Sequence, residues 1–159
     1  MNTRRAILEE LRISRKIVAR GMEVTPRFVV YSPIGTHTLM LPLPDDESKR
    51  VAHFRLARLF MIWKAVSGFI LSTEIKIPDA ITAKLVTRDE VTGASQLLSR
   101  DPVNFAEPVW FGREDVEQAI IDLLPAKSVQ LTADELLIIG KFQNGTVPEL
   151  WFKPRDDDE

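Results

Sequence analysis

Apolar positions along this chain fall into two kinds of run, one spaced at helical intervals and one continuous or alternating. Residues 3–20 are of the first kind. Ile7, Leu8, Leu11 and Val18 lie near one face, and the arginines with Glu9 and Glu10 take the rest. Gly21 is a stop signal. Arg27-Phe-Val-Val-Tyr31 and His37-Thr-Leu-Met-Leu-Pro-Leu43 are of the second kind, and the Ser-Pro-Ile-Gly-Thr between them predicts a β-hairpin. Pro44-Asp-Asp-Glu47-Ser48 then supplies a helix start, because acids in a first turn meet exposed N–H groups and the positive dipole end.

The helix that follows, about residues 47–66, is apolar on more than one side. Val51, Phe54, Leu59, Ile62 and Val66 form one strip, and Leu56, Phe60 and Trp63 another, which predicts a largely buried helix. Gly68 ends it. Residues 69–77 resume strand character, and their second half alternates Thr73, Ile75 and Ile77 with Glu74 and Lys76. Over 80–111 the pattern allows a second hairpin (81–87 and 94–99) and a short strand at 108–111, or a helix at 80–86 in place of the first strand.

Arg113-Glu-Asp115 opens a predicted helix in which Val116, Ala119, Ile120, Leu123 and Leu124 face one way before Pro125. Thr132-Ala-Asp-Glu135 is a capping-box pattern, with Asn144-Gly145 as the stop. The expected class is α+β: an antiparallel sheet with a largely buried central helix on one face and flanking terminal helices. Residues 1–155 read as one domain, residues 1–21 as its N-terminal basic helix, and 156–159 as an acidic tail.

Composition narrows the class without naming a function. The 159 residues are 45% hydrophobic and 28% charged, as in ordinary globular proteins. A net charge of −2 gives no overall bias toward nucleic acid or anionic membrane. The chain has no cysteine, which excludes disulfides and thiolate chemistry and fits a reducing compartment. No secretory h-region is visible, and Arg58 and Lys64 interrupt the most apolar stretch, so a soluble, cytoplasmic protein is expected.

Candidate chemistry is sparse. His37 and His53 are the two histidines, too few for a zinc site, and no Gly-rich phosphate loop or nucleophile elbow is present. No cofactor and no metal site are expected. Asp45 followed by Glu74 and Lys76 follows the PD…ExK order of a nuclease superfamily, in which two carboxylates hold a divalent ion and the lysine polarises water. With 23 acidic residues, an acid two places before a lysine arises by chance about once, and Glu47-Ser48-Lys49 is a second instance. Asp45 also sits where a helix start needs an acid.

Arg4, Arg5, Arg12, Arg15 and Lys16 could contact phosphates, though Glu9 and Glu10 interrupt them and stacking aromatics are missing nearby, so nucleic acid is not the expected partner. Leu150, Trp151 and Phe152, next to the acids at 156–159, form a docking candidate for an unknown protein partner. Their structural alternative is a final edge strand.

The unit running from Phe28 to Tyr31, through Leu39-Met-Leu-Pro-Leu-Pro-Asp-Asp46 and the Leu/Arg-rich helix, to Gly68-Phe-Ile-Leu-Ser-Thr-Glu74 resembles a group of uncharacterised bacterial proteins. They share a hairpin ending in "PLP" plus acids, an apolar helix, and a strand ending near a glutamate. Thr87 to Gly93 and Leu98 to Pro102 fit the same outline. The resemblance covers about the middle half of the chain, implies no activity, and singles out Glu74. The leading functional expectation is a non-catalytic accessory or protein-interaction domain, with self-association through the N-terminal helix as one form. A metal-dependent nuclease and weak nucleic-acid binding are the alternatives.

Overall fold

The computed structural model describes residues 2–41, 46–126, 128–144 and 153–154. Asn2 caps the first helix, α1 (Thr3–Ala19), its side chain accepting the N–H of Arg5. The inner stripe of α1 is Ile7, Glu10, Leu11, Ser14 and Val18, while Leu8 is exposed. That corrects the expectation for Glu10. Its place one turn after Ile7 puts it on the face that packs, not among the solvated charges.

Strands β1 (Arg27–Ser32) and β2 (Gly35–Met40) form the expected hairpin, closed where Ser32 pairs with Gly35 at φ +127. Helix α2 (Glu47–Trp63) starts on Asp46, whose carboxylate accepts the N–H of Lys49 at 3.0 Å and the Ser48 hydroxyl at 2.7 Å. Strands β3 (Gly68–Lys76), β4 (Asp79–Thr87) and β5 (Val91–Ser99) follow as an antiparallel meander, so the helical option at 80–86 is not taken. Two short strands, β6 (Asn104–Phe105) and β7 (Val109–Gly112), both pair with β5. At the opposite edge β8 (Lys153–Pro154) pairs with β2, giving the order β6-β5-β4-β3-β1-β2-β8. Since β1 lies between β2 and β3, α2 carries the chain across it.

The helix expected to open at Arg113 is instead a 3₁₀ turn (Arg113–Asp115) and a one-turn helix, α3 (Gln118–Ile121), separated by extended backbone at Val116. A short isolated helix is marginal by itself. Burial of Val116, Ile120 and Leu123 anchors this segment, and Ala119 stays exposed. Helix α4 (Ala133–Gln143) has the full capping box between Thr132 and Glu135.

The sheet is covered on both faces, forming two cores. Ile7, Leu11 and Val18 of α1 pack on Val29, Ile70, Ile81, Leu85 and Ala94. On the other face Leu59, Phe60 and Met61 of α2, with Ile120 and Phe142, pack on Phe28, Val30, Phe69, Leu71 and Val86. Two-sided cover explains why residues 28–30 and 69–71 are continuous apolar runs rather than alternating ones. Burial along α2 is concentrated in its C-terminal half, and Val51 is exposed. No helix among the described residues is long and apolar enough to cross a membrane.

Candidate functional site

Strand registers place each nominated side chain. Ser72, Glu74 and Lys76 share the α1 side of β3 with Ile70, and Thr73 and Ile75 share the α2 side with Leu71. Asp45 lies outside the described residues. Glu74 and Lys76 are joined to each other at 2.8 Å, and Lys76 also donates to Glu23 at 3.0 Å. Arg100 approaches Glu74 at 3.6 Å and bonds Asp79 at 2.7 Å. The hydrogen bond to Glu74, then that to Glu23, raises the Lys76 pKa, and Arg100 holds the Asp79 carboxyl below its usual range.

This is an ionic clasp. It ties the end of β3 to the start of β4, to the chain after α1 and to the turn after β5. Two of the lysine's three donors are committed to carboxylates. Among the described residues no group of three or more histidine or acidic side chains could hold a metal ion.

Three of the five α1 cations are engaged within the protein. Arg4 stacks over the Trp110 ring at 4.6 Å, Arg12 bonds both carboxylate oxygens of Glu9, and Arg15 donates to Gln96 at 2.7 Å. Arg5 and Lys16 are exposed. His37 lies on β2 beside the α2 core, where burial and then Lys64 lower its pKa, and His53 sits on α2 away from it in the sequence. Leu150, Trp151, Phe152 and the acids at 156–159 lie outside the described residues.

Sequence inspection did not single out two features on the α2 side of the sheet. One is the end that the helices leave uncovered. Ile75, Ala80 and Leu97 form a cross-strand row, followed inward by Thr73, Thr82, Ser95 and Val109. The Thr73 and Thr82 hydroxyls bond each other at 2.9 Å. Ile75, Leu97 and Val109 are 37%, 54% and 62% exposed. The alternation of residues 73–77 signals a strand with one wet face, but it does not say that the apolar members are the exposed ones.

The other feature is a cleft of about 370 Å³ between the first half of α2 and α3, lined by Glu47, Arg50, Val51, Phe54, Glu117 and Ala119. Arg50 bonds Glu117 at 2.9 Å and lies over the Phe54 ring. Lys84, on the α2 side of β4, is within electrostatic reach of both charges. A lone lysine inside Ala80-Ile-Thr-Ala-Lys-Leu-Val86 was the available signal. No protein-family model, curated protein or solved structure matches the chain.

Proposed function

We propose that the protein is a non-catalytic interaction module that pairs with a second copy of itself through the uncovered end of the α2 side of its sheet. The supporting observation is the row Ile75–Ala80–Leu97. Two large apolar side chains, both solvent-exposed, flank a small one at the spacing of adjacent strands. Such a row is self-complementary. A two-fold axis running along β4, in the plane between two facing sheets, sets Ile75 of each copy against Leu97 of the other. Exposed apolar side chains gathered on one sheet face have a reason to be covered. Two of the three residues nominated for metal chemistry, Glu74 and Lys76, are paired with each other, which favours a structural role for them.

Sedimentation equilibrium on the full chain tests this reading. A dimer is expected below about 100 µM, and Leu97→Glu should leave a monomer. Leu8→Glu, on the exposed side of α1, should stay dimeric. A wild-type monomer throughout that range overturns the reading. Dissociation by Leu8→Glu alone would also overturn it, moving the contact to α1.

A further inference from the structure

Past the C-cap of α2 the chain turns back into β3 over residues 65–67, with Ala65 at φ +52. The N–H groups of Ala65 and Val66 bond the Ile62 and Met61 carbonyls at 3.1 and 2.9 Å, which closes the helix end on itself. Ser67 follows, its N–H and its hydroxyl both donating to the Tyr31 carbonyl. The last β3–β4 pair is Gly68 with Thr87, so one further step sets Ser67 opposite Arg88 on the α2 side of the sheet. Together they line a cavity of about 380 Å³ whose wall also includes Ile62, Val66, Pro125 and Val129. Arg88 is exposed, and among the described residues no hydrogen bond or ion pair reaches it. The described lining contains no acid. Glu90, two places on, is held toward α1 on the other face, where it accepts the Thr3 hydroxyl at 3.1 Å.

A guanidinium has five donors, and here none is taken up by the fold. Set at the side of an apolar recess of this size, it matches an anionic group carried on a small apolar body. Two observations limit the charge of that group. Arg88 is the one cation of the described lining, and the carbonyl end of α2, which disfavours negative charge, forms part of the wall. A phosphate dianion therefore fits poorly, whereas a carboxylate carries a single charge and matches the guanidinium fork. We propose that this cavity binds a small apolar carboxylate, with Arg88 as its charged contact and Ile62, Val66, Pro125 and Val129 as its apolar wall. Ser67, whose proton goes to Tyr31, offers an acceptor for a hydroxyl or N–H on the same ligand. The site lies at the end of β3 and β4 away from Ile75 and Ala80, so it does not depend on pairing between copies.

The test titrates the full chain with sodium benzoate, against sodium chloride at matched ionic strength, and follows the valine methyls by NMR. Benzyl alcohol and phenyl phosphate supply the neutral and the dianionic counterparts of the same ring. Benzoate should give a saturable shift at Val66 and Val129, with a dissociation constant of about 1 mM. Benzyl alcohol should bind about tenfold more weakly, and Arg88→Gln should weaken benzoate by a similar factor. That variant should unfold at the wild-type urea concentration, because Arg88 is exposed and bonds nothing in the described fold. Arg5→Gln, on the exposed side of α1, should leave benzoate binding unchanged. Valine shifts that grow linearly and equally in chloride overturn the proposal. So does saturable benzoate binding that survives Arg88→Gln. Phenyl phosphate bound more tightly than benzoate overturns the choice of a carboxylate.

Discussion

The Glu10 carboxylate of α1 and the Arg27 guanidinium of β1 meet at 3.3 Å, with 1% and 7% of their side chains exposed. Arg27 also donates to the backbone oxygen of Glu10 at 3.4 Å. The pair lies among Ile7, Leu11 and Val29, so each charge has given up most of its water to be there. A buried pair of this kind does not necessarily stabilise a fold, but either member left alone is a liability.

Glu10→Ala is therefore expected to cost about 3–5 kcal/mol in urea unfolding, because it takes the buried carboxylate away from the guanidinium. The double variant Glu10→Leu with Arg27→Met should recover most of that loss. If the double variant is no more stable than Glu10→Ala, the pair does more for this fold than desolvation arguments allow.

Gly93 has no room for a side chain. A Cβ there would lie 2.6 Å from the Phe111 ring and 2.8 Å from the Ala83 backbone oxygen. Gly93→Ala should destabilise the protein by about 1–3 kcal/mol, through overpacking where β4, β5 and β7 meet. Adding Phe111→Leu should restore only part of the loss, since the carbonyl stays in place. Thermal unfolding of the single and double variants decides this.

Thr132→Ala removes the hydroxyl that accepts the Glu135 N–H at 3.2 Å. The expected cost is about 1 kcal/mol. Glu135, whose carboxylate accepts the Thr132 N–H, has its pKa held below the usual glutamate value chiefly by that bond. Its contribution is present above the unfolded glutamate pKa, near 4.3, and is lost as pH falls through the folded value. The gap between wild type and Glu135→Gln should accordingly narrow in acid.

Lys84 sets a slope of the same sign at the alkaline end. Its pKa in the folded chain lies below the usual lysine value of about 10.4. Between those two values the unfolded chain holds a proton that the folded chain does not, so stability rises with pH across that window. Lys84→Met cannot titrate. It should be more stable than wild type at neutral pH, with the difference shrinking as pH rises toward the usual lysine value. A difference that does not change with pH would mean that the ammonium carries no desolvation cost.

Much of the fold was legible because it is written in short intervals. The capping box at Thr132 and Glu135, the Asp46 start of α2 and the hairpin turn at Gly35 each depend on residues within about four positions. Long apolar runs at 28–30 and 69–71 likewise marked strands correctly. The segment from Arg113 was harder. Val116, Ile120 and Leu123 do turn inward as their spacing predicts, yet the backbone between them is extended at Val116. Spacing records which side chains are buried and not the path the chain takes to bury them.

The candidate site was barely legible, and its partners show why. Arg50 finds Glu117 across 67 positions. Arg15 finds Gln96 across 81 positions. Glu10 was placed among solvated charges because nothing near it in sequence could supply Arg27.

By itself the sequence determined where the capped helices α2 and α4 and the first hairpin begin, and that the chain would build an antiparallel sheet with a buried helix on one face. Only tertiary structure decided which charges lost their water, which end of the sheet the helices failed to cover, and that Lys84 would lie opposite Leu71 of the core under α2. The physical reason is range. Capping and periodicity act within a turn or two of chain, whereas desolvation and pairing are set by whatever the fold brings near.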